Sequence, residues 1–279
     1  MIPADYIAEW RQHVSWVPSS QVEQDLVLSR VLVEIFGDAD LADSLAFRGG
    51  TALFKLHLTP APRYSEDIDL VQIRSEPIGA TLDRLRSRLD PWLGEPKRSF
   101  NEGRVTLVYR FASEDTEPLP LRLKVEINSR EHFSVFGIES RPFEVRSRWF
   151  AGAASISTYT LDELLGTKLR ALYQRRKGRD LFDLWWAATH SAIDFDQVVA
   201  CFREYLKADG LRVSRAELEA NLAGKLQDRV FTADLQPLLA PSVEWDLNRA
   251  ARLVLNEITP RLAARSLGLA NERRGRVER

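Results

Sequence analysis

The feature that most constrains the fold is a pair of glycines between a predicted strand and a predicted helix. Gly49 and Gly50 follow the run 44–47 and precede a helical pattern over 51–58. Glycines at such a junction let the backbone approach a bulky anion, and the start of the helix adds unpaired N–H groups and a positive dipole end. We therefore expect a phosphate-binding turn in which Thr51 either caps the helix or donates its hydroxyl to a phosphate oxygen.

Two acidic residues follow in the alternating segment 67–73. Asp67 and Asp69 are two positions apart, so in a strand both carboxylates point to one side while Ile68 and Leu70 point into the core. Carboxylates held together in this way repel each other unless a cation lies between them. Such hard oxygen ligands suit Mg²⁺ or Mn²⁺ together with substrate phosphates. The combination with the glycine turn indicates phosphoryl or nucleotidyl transfer.

A third acid would complete a two-metal site. Glu126 lies in the alternating run 121–127, which we expect to pair with the run 104–111 and to lie beside Asp69. There Glu126 would bind the metal and help to deprotonate the attacking hydroxyl, and Lys124, on the same side, would reach the triphosphate. Taken singly, a Gly-Gly pair is usually a turn, an Asp-x-Asp an exposed strand end and Glu126 a solvated edge residue. Their order and spacing together favour a functional site.

The predicted elements give an α/β (α+β) chain with two lobes. Strands and helices alternate up to about residue 150 and favour a mixed sheet, whereas helical patterns dominate afterwards. We predict an α/β domain with N-terminal helices over 1–152 and a mostly helical C-terminal domain over 153–279.

Composition excludes several classes of protein. Hydrophobic residues make up 44% and charged residues 28%, as in soluble globular proteins. Cys201 is the single cysteine, and the four histidines form no ligand pair at helical spacing, so neither disulfides nor a zinc site are expected. The N-terminus lacks the basic and apolar runs of a secretory signal, and no apolar segment approaches about 18 residues. We expect a cytoplasmic protein without membrane contact.

The net charge of −1 argues neither for nor against nucleic acid, but basic residues are clustered. One cluster is predicted to bind RNA phosphates and comprises Arg170, Arg175, Arg176, Lys177 and Arg179. We interpret a second basic cluster, at the C-terminus, as a solvated tail; it comprises Arg273, Arg274, Arg276 and Arg279.

The segment 47–70 resembles the signature of the AbiEii/AbiGii family of nucleotidyltransferase toxins, which includes the MenT proteins and is similar to polymerase-β-like nucleotidyltransferases. The family has Gly-Gly-Ser/Thr-Ala-Leu followed by Arg-Phe/Tyr-Ser-Glu-Asp-Ile-Asp-Leu; this chain has Gly49-Gly50-Thr51-Ala52-Leu53 and Arg63-Tyr64-Ser65-Glu66-Asp67-Ile68-Asp69-Leu70. The resemblance implies a polymerase-β-like core, a nucleoside triphosphate substrate, a cognate antitoxin and an RNA acceptor, the tRNA 3′ end, whose modification blocks translation and growth. Glu126 departs from the family pattern, in which an aspartate is expected at this position.

A second match lies downstream. Family members carry a helical lysine followed by Arg-Asp and a further Asp; here these are Lys168, Arg179-Asp180 and Asp183. The resemblance implies that Lys168 contacts the nucleotide phosphates as a catalytic residue, and that Asp180 or Asp183 holds basic side chains or the base and ribose. The residues alone favour an amphipathic helix pair with Lys168 solvated and Asp180 as an N-cap.

Two further residues join the predicted nucleotide site. Lys55 lies in the signature segment and is assigned to nucleotide binding. Ser65 lies two positions before Asp67, near the expected γ-phosphate, and the resemblance implies that it is a target of regulatory phosphorylation, whose charge would repel the triphosphate. A turn serine at the strand entry explains Ser65 equally well.

Other functions remain open at this stage. A nucleotidyltransferase that modifies a protein hydroxyl would use the same acids with a different acceptor. An antibiotic-modifying enzyme would need an acidic pocket, against which the basic helices argue. A non-catalytic nucleotide-binding regulator would be expected to lack Asp67 or Asp69, and both are present.

Overall fold

The computed structural model describes residues 2–101, 103–114 and 117–263. The basic C-terminal cluster and the part of the predicted second domain beyond residue 263 lie outside these described residues. The chain forms two compact units: the first comprises Met1–Leu164 and Leu238–Val243, and the second comprises Leu165–Pro237 and Glu244–Arg279.

A sheet forms the centre of the first unit. Its strands are β1 (Leu45–Arg48), β2 (Asp67–Gln72), β3 (Lys97–Asn101), β4 (Arg104–Ala112), β5 (Pro120–Asn128), β6 (Ile138–Arg146) and β7 (Ala151–Tyr159). They lie in the order β3-β4-β5-β2-β1-β7-β6. The pairs β1/β7 and β2/β5 are parallel and the remaining pairs antiparallel. The predicted α/β class with a mixed sheet is confirmed.

Helices cover one face of this sheet. They are α1 (Ala4–Trp10), α2 (Ser19–Phe36), α3 (Ala39–Ser44), α4 (Gly49–Ala52), which a π-helical turn continues over Leu53–His57, and α5 (Gly79–Leu93). The core-facing strand residues and the apolar stripes of α2 and α5 exclude water, as Ile68, Leu123 and Leu85 illustrate at 0% exposure. Since side chains alternate along a strand, the polar residues of β2, β4 and β5 are left on the opposite face.

Three strands were not anticipated from the sequence: β3, β6 and β7. Residue 152, where the sequence predicts a domain boundary, lies within β7, and the two compact units divide after Leu164. The segment 238–243 then returns to the first unit, where the Leu238 carbonyl accepts a hydrogen bond from the Tyr64 N–H at 2.7 Å and the Ala240 N–H donates to the Pro62 carbonyl at 2.9 Å. These bonds hold the loop that leads into β2.

The described part of the second unit is helical. It contains most of α6 (Leu161–Gln174), followed by α7 (Gly178–His190), α8 (Phe195–Ala208), α9 (Arg215–Leu226), α10 (Arg229–Ala233), α11 (Leu247–Leu253), a π-helical turn over Val254–Ile258 and α12 (Thr259–Ala263). Gly166 allows close packing of α6 on α8, because a Cβ there would lie 2.4 Å from the Cβ of Cys201. Among the described helices, none has the length and apolar character needed to cross a membrane.

Candidate active site

Three carboxylates lie together on the open face of the sheet. Asp67 and Asp69 occupy alternate positions of β2, with Ile68 buried between them. The parallel register of β2 and β5 places Glu126 beside Asp69 and Lys124 beside Asp67. All four side chains therefore project to the same face. This is the arrangement that the alternating runs predict, and it follows from the pairing of β2 with β5.

Two basic side chains neutralise part of this acidic cluster. The Lys124 Nζ lies 2.8 Å from Glu126 Oε2 and 3.7 Å from Asp67 Oδ2, and the Arg104 Nε lies 3.1 Å from Glu126 Oε1. Partial burial disfavours the charged ammonium, but the hydrogen bond to Glu126 and the charges of Asp67, Glu126 and Asp69 outweigh it and raise the pKa of Lys124. Three carboxylates against two cations leave a net negative charge.

Gly49 brings the backbone of the turn against the acidic cluster. Its φ is +83°, in the left-handed region that favours glycine, and a Cβ at this position would lie 2.2 Å from Asp69 Oδ2. The carboxylate of Asp69 thus occupies the space that any side chain at residue 49 would fill. The Gly49–Gly50 turn and the acidic cluster are one structural feature.

Thr51 is buried and supports the strand rather than facing solvent. Its hydroxyl donates to the backbone carbonyl of Asp67 at 2.6 Å and lies 2.8 Å from the hydroxyl of Ser65. It makes no side-chain cap of α4, one of the two roles expected from the sequence. Thr51 and Ser65 together fix the start of β2, and Ser65 remains half-buried at that point.

Lys55 points away from this cluster into a buried ion pair. Its Nζ lies 2.8 Å from both carboxylate oxygens of Asp25 and 3.0 Å from Ser29 Oγ, and the Trp10 indole N–H donates to the same carboxylate at 3.0 Å. These groups form part of the wall of a cavity of about 200 Å³ that also reaches Ser65. The predicted contact between Lys55 and a nucleotide would have to compete with Asp25.

In the helical unit, Lys168 lies in a buried ionic network. Its Nζ is 2.8 Å from Asp183 Oδ2 and 3.5 Å from Asp180 Oδ1, and both aspartates are fully buried. Arg175 donates two hydrogen bonds to Asp180, at 2.7 and 2.8 Å. Lys168 is therefore not the solvated residue that the residues alone would favour, and Asp180 lies in the first turn of α7 rather than at its N-cap, which is Lys177.

The cationic side chains predicted to bind RNA are each engaged with an acid of the same unit. Arg170 contacts Asp209, Arg175 contacts Asp180, Arg176 contacts Asp228, and Lys177 and Arg179 contact Asp234, at 2.7 to 3.8 Å. Because Arg170 is nearly buried, the cluster presents less free positive charge than its sequence suggests.

Two residues at the acidic cluster were missed by the sequence analysis. Arg104 contacts Glu126, and Arg48, which is opposite Asp69 in the β1/β2 register, donates to Glu131 Oε2 at 2.5 Å. The parity of the run 104–111 would have placed Arg104 on the face of Glu126 once β4 and β5 were paired. Glu131 lies beyond β5 in a loop, where alternation gives no signal.

The donor set fits a divalent cation, although no preformed cage is present. Among the described residues, no group of three or more His, Cys, Asp or Glu side chains is arranged to hold a metal ion. Three hard carboxylates on neighbouring strands, closed on one side by a glycine that leaves room for Asp69, nevertheless provide the oxygen chemistry that Mg²⁺ takes from proteins. Lys124 and Arg104 pair with Glu126, and Lys124 also lies near Asp67.

Comparisons with known proteins identify the class of protein. A family model described as the nucleotidyl transferase AbiEii toxin of a type IV toxin–antitoxin system matches residues 30–252. The protein is a nucleotidyltransferase. It belongs to the AbiEii family of toxins, as the resemblance in segment 47–70 predicted, and the family implies an antitoxin as its counterpart.

Solved structures agree in fold. MenT4, a nucleotidyltransferase toxin from Mycobacterium tuberculosis H37Rv, superposes with a TM-score of 0.67 at 16% identity, covering 93% of this chain and 90% of that one. JHP933 from Helicobacter pylori gives a TM-score of 0.51 at 18% identity, covering 86% and 90%. Comparison with curated proteins gave no significant match.

Proposed function

We propose that this toxin is a Mg²⁺-dependent enzyme that transfers a nucleotide from a nucleoside triphosphate to RNA, at the tRNA 3′ end, and so blocks translation and growth. The observation that carries the proposal is the register of β2 and β5, which brings Asp67, Asp69 and Glu126 to one face against the Gly49 turn. Membership of a toxin family supports an RNA acceptor, because the activity of a toxin must reach a molecule essential for growth.

The acids and their neighbours have distinct roles in this reaction. Asp67, Asp69 and Glu126 bind the divalent cation, which when bound offsets the charge of the triphosphate. Glu126 accepts the proton of the attacking hydroxyl, and Lys124 leaves its acidic neighbours to contact the triphosphate. The acceptor oxygen forms a bond to the α-phosphorus while the bond from that phosphorus to the bridging oxygen breaks, and pyrophosphate leaves.

The turn and the helical unit supply the remaining nucleotide contacts. The Gly49–Gly50 turn is proposed to bind the triphosphate at the start of α4, with Thr51 fixing the turn against Asp67. Lys168, held by Asp183, is proposed to contact phosphate. RNA phosphates at Arg170, Arg175, Arg176, Lys177 and Arg179 would have to displace the acids that now pair with these side chains.

Ser65 is the proposed regulatory position. Its hydroxyl is hydrogen-bonded with Thr51, whose own hydroxyl donates to the carbonyl of Asp67. A phosphate group on Ser65 would disturb that chain of bonds and would place negative charge beside acids that already carry it. Mass spectrometry of protein co-expressed with its antitoxin tests this directly, because an unmodified Ser65 in the inactive state would exclude the mechanism.

The proposed reaction is tested by labelling. Purified protein is incubated with Mg²⁺, total RNA and each α-³²P-labelled nucleoside triphosphate in turn, and the products are separated on a denaturing gel. We expect label on a tRNA-sized band with the wild type, none with Asp69→Asn or with EDTA, and full label with Asp83→Asn, whose carboxylate is exposed on α5. The last variant removes one negative charge without touching the acidic cluster.

Other outcomes reject parts of the proposal. Full activity of Asp69→Asn would reject the metal assignment. Label on a protein band, with none on RNA, would favour transfer to a protein hydroxyl by the same acids. Absence of label on both would leave a nucleotide-binding regulator.

A further inference from the structure

The sheet face that carries the acidic cluster continues into a row of basic residues. In β4 and β5 the cross-strand partners on this face include Val108 with Lys124 and Arg110 with Arg122, and in β3 Lys97 is paired with Val108. The opposite face of β4 and β5 is core, with Leu107, Tyr109 and Leu123 at 0% exposure. Lys97, Arg110 and Arg122 therefore project from the side of the sheet that also displays the acids.

These three cations are exposed and without ionic partners. Lys97, Arg110 and Arg122 are all exposed, and within the described part of the chain their side chains make no salt bridge or hydrogen bond. They differ in this from the basic cluster of the helical unit, in which every side chain is engaged with an acid. Free positive charge in the first unit is thus concentrated on the face of the acidic cluster.

The pairing of Arg110 with Arg122 points to an anionic ligand. Like charges directly opposite each other on neighbouring strands destabilise a sheet, and nothing in the described residues relieves this pair. Such a pair is retained at a cost in stability, which a bound anion removes. The ladders with β3 and β2 end at Val108 and Lys124, so Arg110 and Arg122 lie on a two-stranded extension of the sheet, where exposed charge also acts against edge-to-edge aggregation.

The extent of the row indicates a ligand with several phosphates. Arg122 is four positions before Glu126 in β5, which corresponds to about 13 Å along the strand, and Lys97 lies two strands away from Lys124, about 10 Å across the sheet. Val108 and Lys124 lie between these cations and Glu126, and the small polar side chains of Ser99 and Thr106, paired with each other, are level with Glu126 on the outer strands. Because Lys97, Ser99 and Arg110 are all exposed, this face is accessible to a sugar-phosphate backbone.

We propose that the open face of β3, β4 and β5 binds the sugar-phosphate backbone of the accepting RNA, with Lys97, Arg110 and Arg122 contacting its phosphates. The inference rests on the proposed function, because it assumes that the acceptor hydroxyl at the acidic cluster belongs to a nucleic acid. The phosphates of the RNA nucleotides adjacent to the acceptor hydroxyl then lie over Lys97, Arg110 and Arg122. Contacts of this kind position a strand without reading its sequence, so base selection lies elsewhere.

The test compares two double variants. Arg110→Gln/Arg122→Gln removes the cross-strand pair, and Arg98→Gln/Arg212→Gln removes two exposed, equally unpartnered arginines elsewhere: Arg98 is adjacent to Lys97 in β3 but has the opposite parity, and Arg212 lies in the helical unit. Binding of fluorescein-labelled bulk tRNA is measured by anisotropy over a series of salt concentrations. The KM for the nucleoside triphosphate is measured in parallel.

We expect Arg110→Gln/Arg122→Gln to weaken tRNA binding by about tenfold or more at moderate salt. The slope of log K against log salt should become shallower by about 2, one for each phosphate that the variant no longer neutralises. The KM for the triphosphate should stay unchanged, and the control should bind as wild type does. Since both arginines are exposed and mutually repulsive, the melting temperature should not fall.

Three results would overturn the inference. The first is that Arg110→Gln/Arg122→Gln binds tRNA with the affinity and salt slope of the wild type. If the wild type nevertheless labels RNA, this result rejects the proposed surface but not the proposed transfer to RNA. Another is an equal loss in the control, which would show a general charge effect. The third is a wild type that binds no tRNA, which would reject the RNA acceptor and this surface together.

Discussion

Gly49 determines the geometry of the acidic cluster through the space that its missing side chain leaves. Asp69 occupies that space, 2.2 Å from where a Cβ would be. Gly49→Ala should lower the rate of nucleotide transfer by about a hundredfold, since the carboxylate must move by a large fraction of an ångström or more. It should also cost about 1–2 kcal/mol of stability, because alanine is strained at this φ.

The matched control is Gly94→Ala. Gly94 has φ +79° and ψ −179°, a region that is essentially restricted to glycine, so alanine is strained there as well, but a Cβ there meets nothing within 4 Å. We expect Gly94→Ala to have a lowered urea midpoint but wild-type activity. If Gly49→Ala is as active as Gly94→Ala, the contact with Asp69 has no part in the reaction.

His57 gives the first unit a dependence on pH. Burial, followed by the positive charge of Arg141, lowers the pKa of His57 from 6.5 to about 4, despite the opposing charge of Glu139. At pH values between these two pKa values, His57 binds a proton in the unfolded chain but not in the folded chain. The contribution of His57 to the free energy of unfolding is therefore fully present above pH 6.5. Lowering the pH from 7.5 to 5 should reduce this free energy by about 2 kcal/mol.

Urea unfolding at a series of pH values measures this effect. His57→Gln should show a smaller loss of unfolding free energy over the same interval, whereas His190→Gln, at an exposed position, should follow the wild type. Parallel curves for the wild type and His57→Gln would contradict the assignment to His57.

At the scale of elements, alternation predicts the strands that matter most for the site. In β2, β4 and β5 apolar and polar residues alternate, so parity alone placed Asp67, Asp69, Lys124 and Glu126 on one face. The pairing of β2 with β5 is parallel and skips two strands in sequence, and no local pattern specifies it. The candidate site was therefore predictable as a set of residues, while the contributions of Arg104 and Arg48 and the strand register depended on tertiary pairing.

The strands that were missed lack an alternating apolar signal. In β7, alanine, glycine and serine dominate up to Ile156, and β6 carries Pro142 and four charged residues in an edge position. All five residues of β3 are exposed, so it has no buried face to detect. The direction of Lys55 was equally hidden, because Asp25, which binds it, lies on a helix distant in sequence. An ion pair between two residues distant in sequence produces no periodic pattern from which it could be predicted.

The helix pair α6 and α7 depends on the ion pair between Lys168 and Asp183. Both side chains are almost fully buried, so Lys168→Met would leave a buried carboxylate without its lysine. We expect the free energy of unfolding to fall by about 3 kcal/mol. Lys177→Met removes a more exposed lysine that pairs with Asp234, and it should cost less than about 1 kcal/mol.

Urea denaturation followed by far-UV circular dichroism compares these two variants. Equal stabilities would show that Asp183 is satisfied without Lys168. The comparison also determines how activity data are interpreted, because only a Lys168→Met protein assayed well below its melting temperature separates a loss of phosphate binding from a loss of fold.

For the whole molecule, the net charge of −1 conceals a local excess of negative charge at the acidic cluster. Three carboxylates lie together there, so a divalent cation that binds the folded chain should stabilise it by mass action. At about 10 mM Mg²⁺ and a dissociation constant near 1 mM, the gain is about 1.4 kcal/mol, or a few degrees in melting temperature. The melting temperature in NaCl of equal ionic strength serves as the reference, because it contains the effect of screening on all surface charges without Mg²⁺ binding.

The variants locate the ion without any assay of transfer. Asp69→Asn should lose the Mg²⁺-dependent rise in melting temperature, whereas Asp83→Asn should retain it, since its carboxylate is exposed on α5, the helix that packs on the core side of the sheet. A rise of equal size in Asp69→Asn would place the bound ion elsewhere in the chain. In that case the carboxylates of β2 and β5 would form salt bridges with Lys124 and Arg104 and would not bind the metal ion.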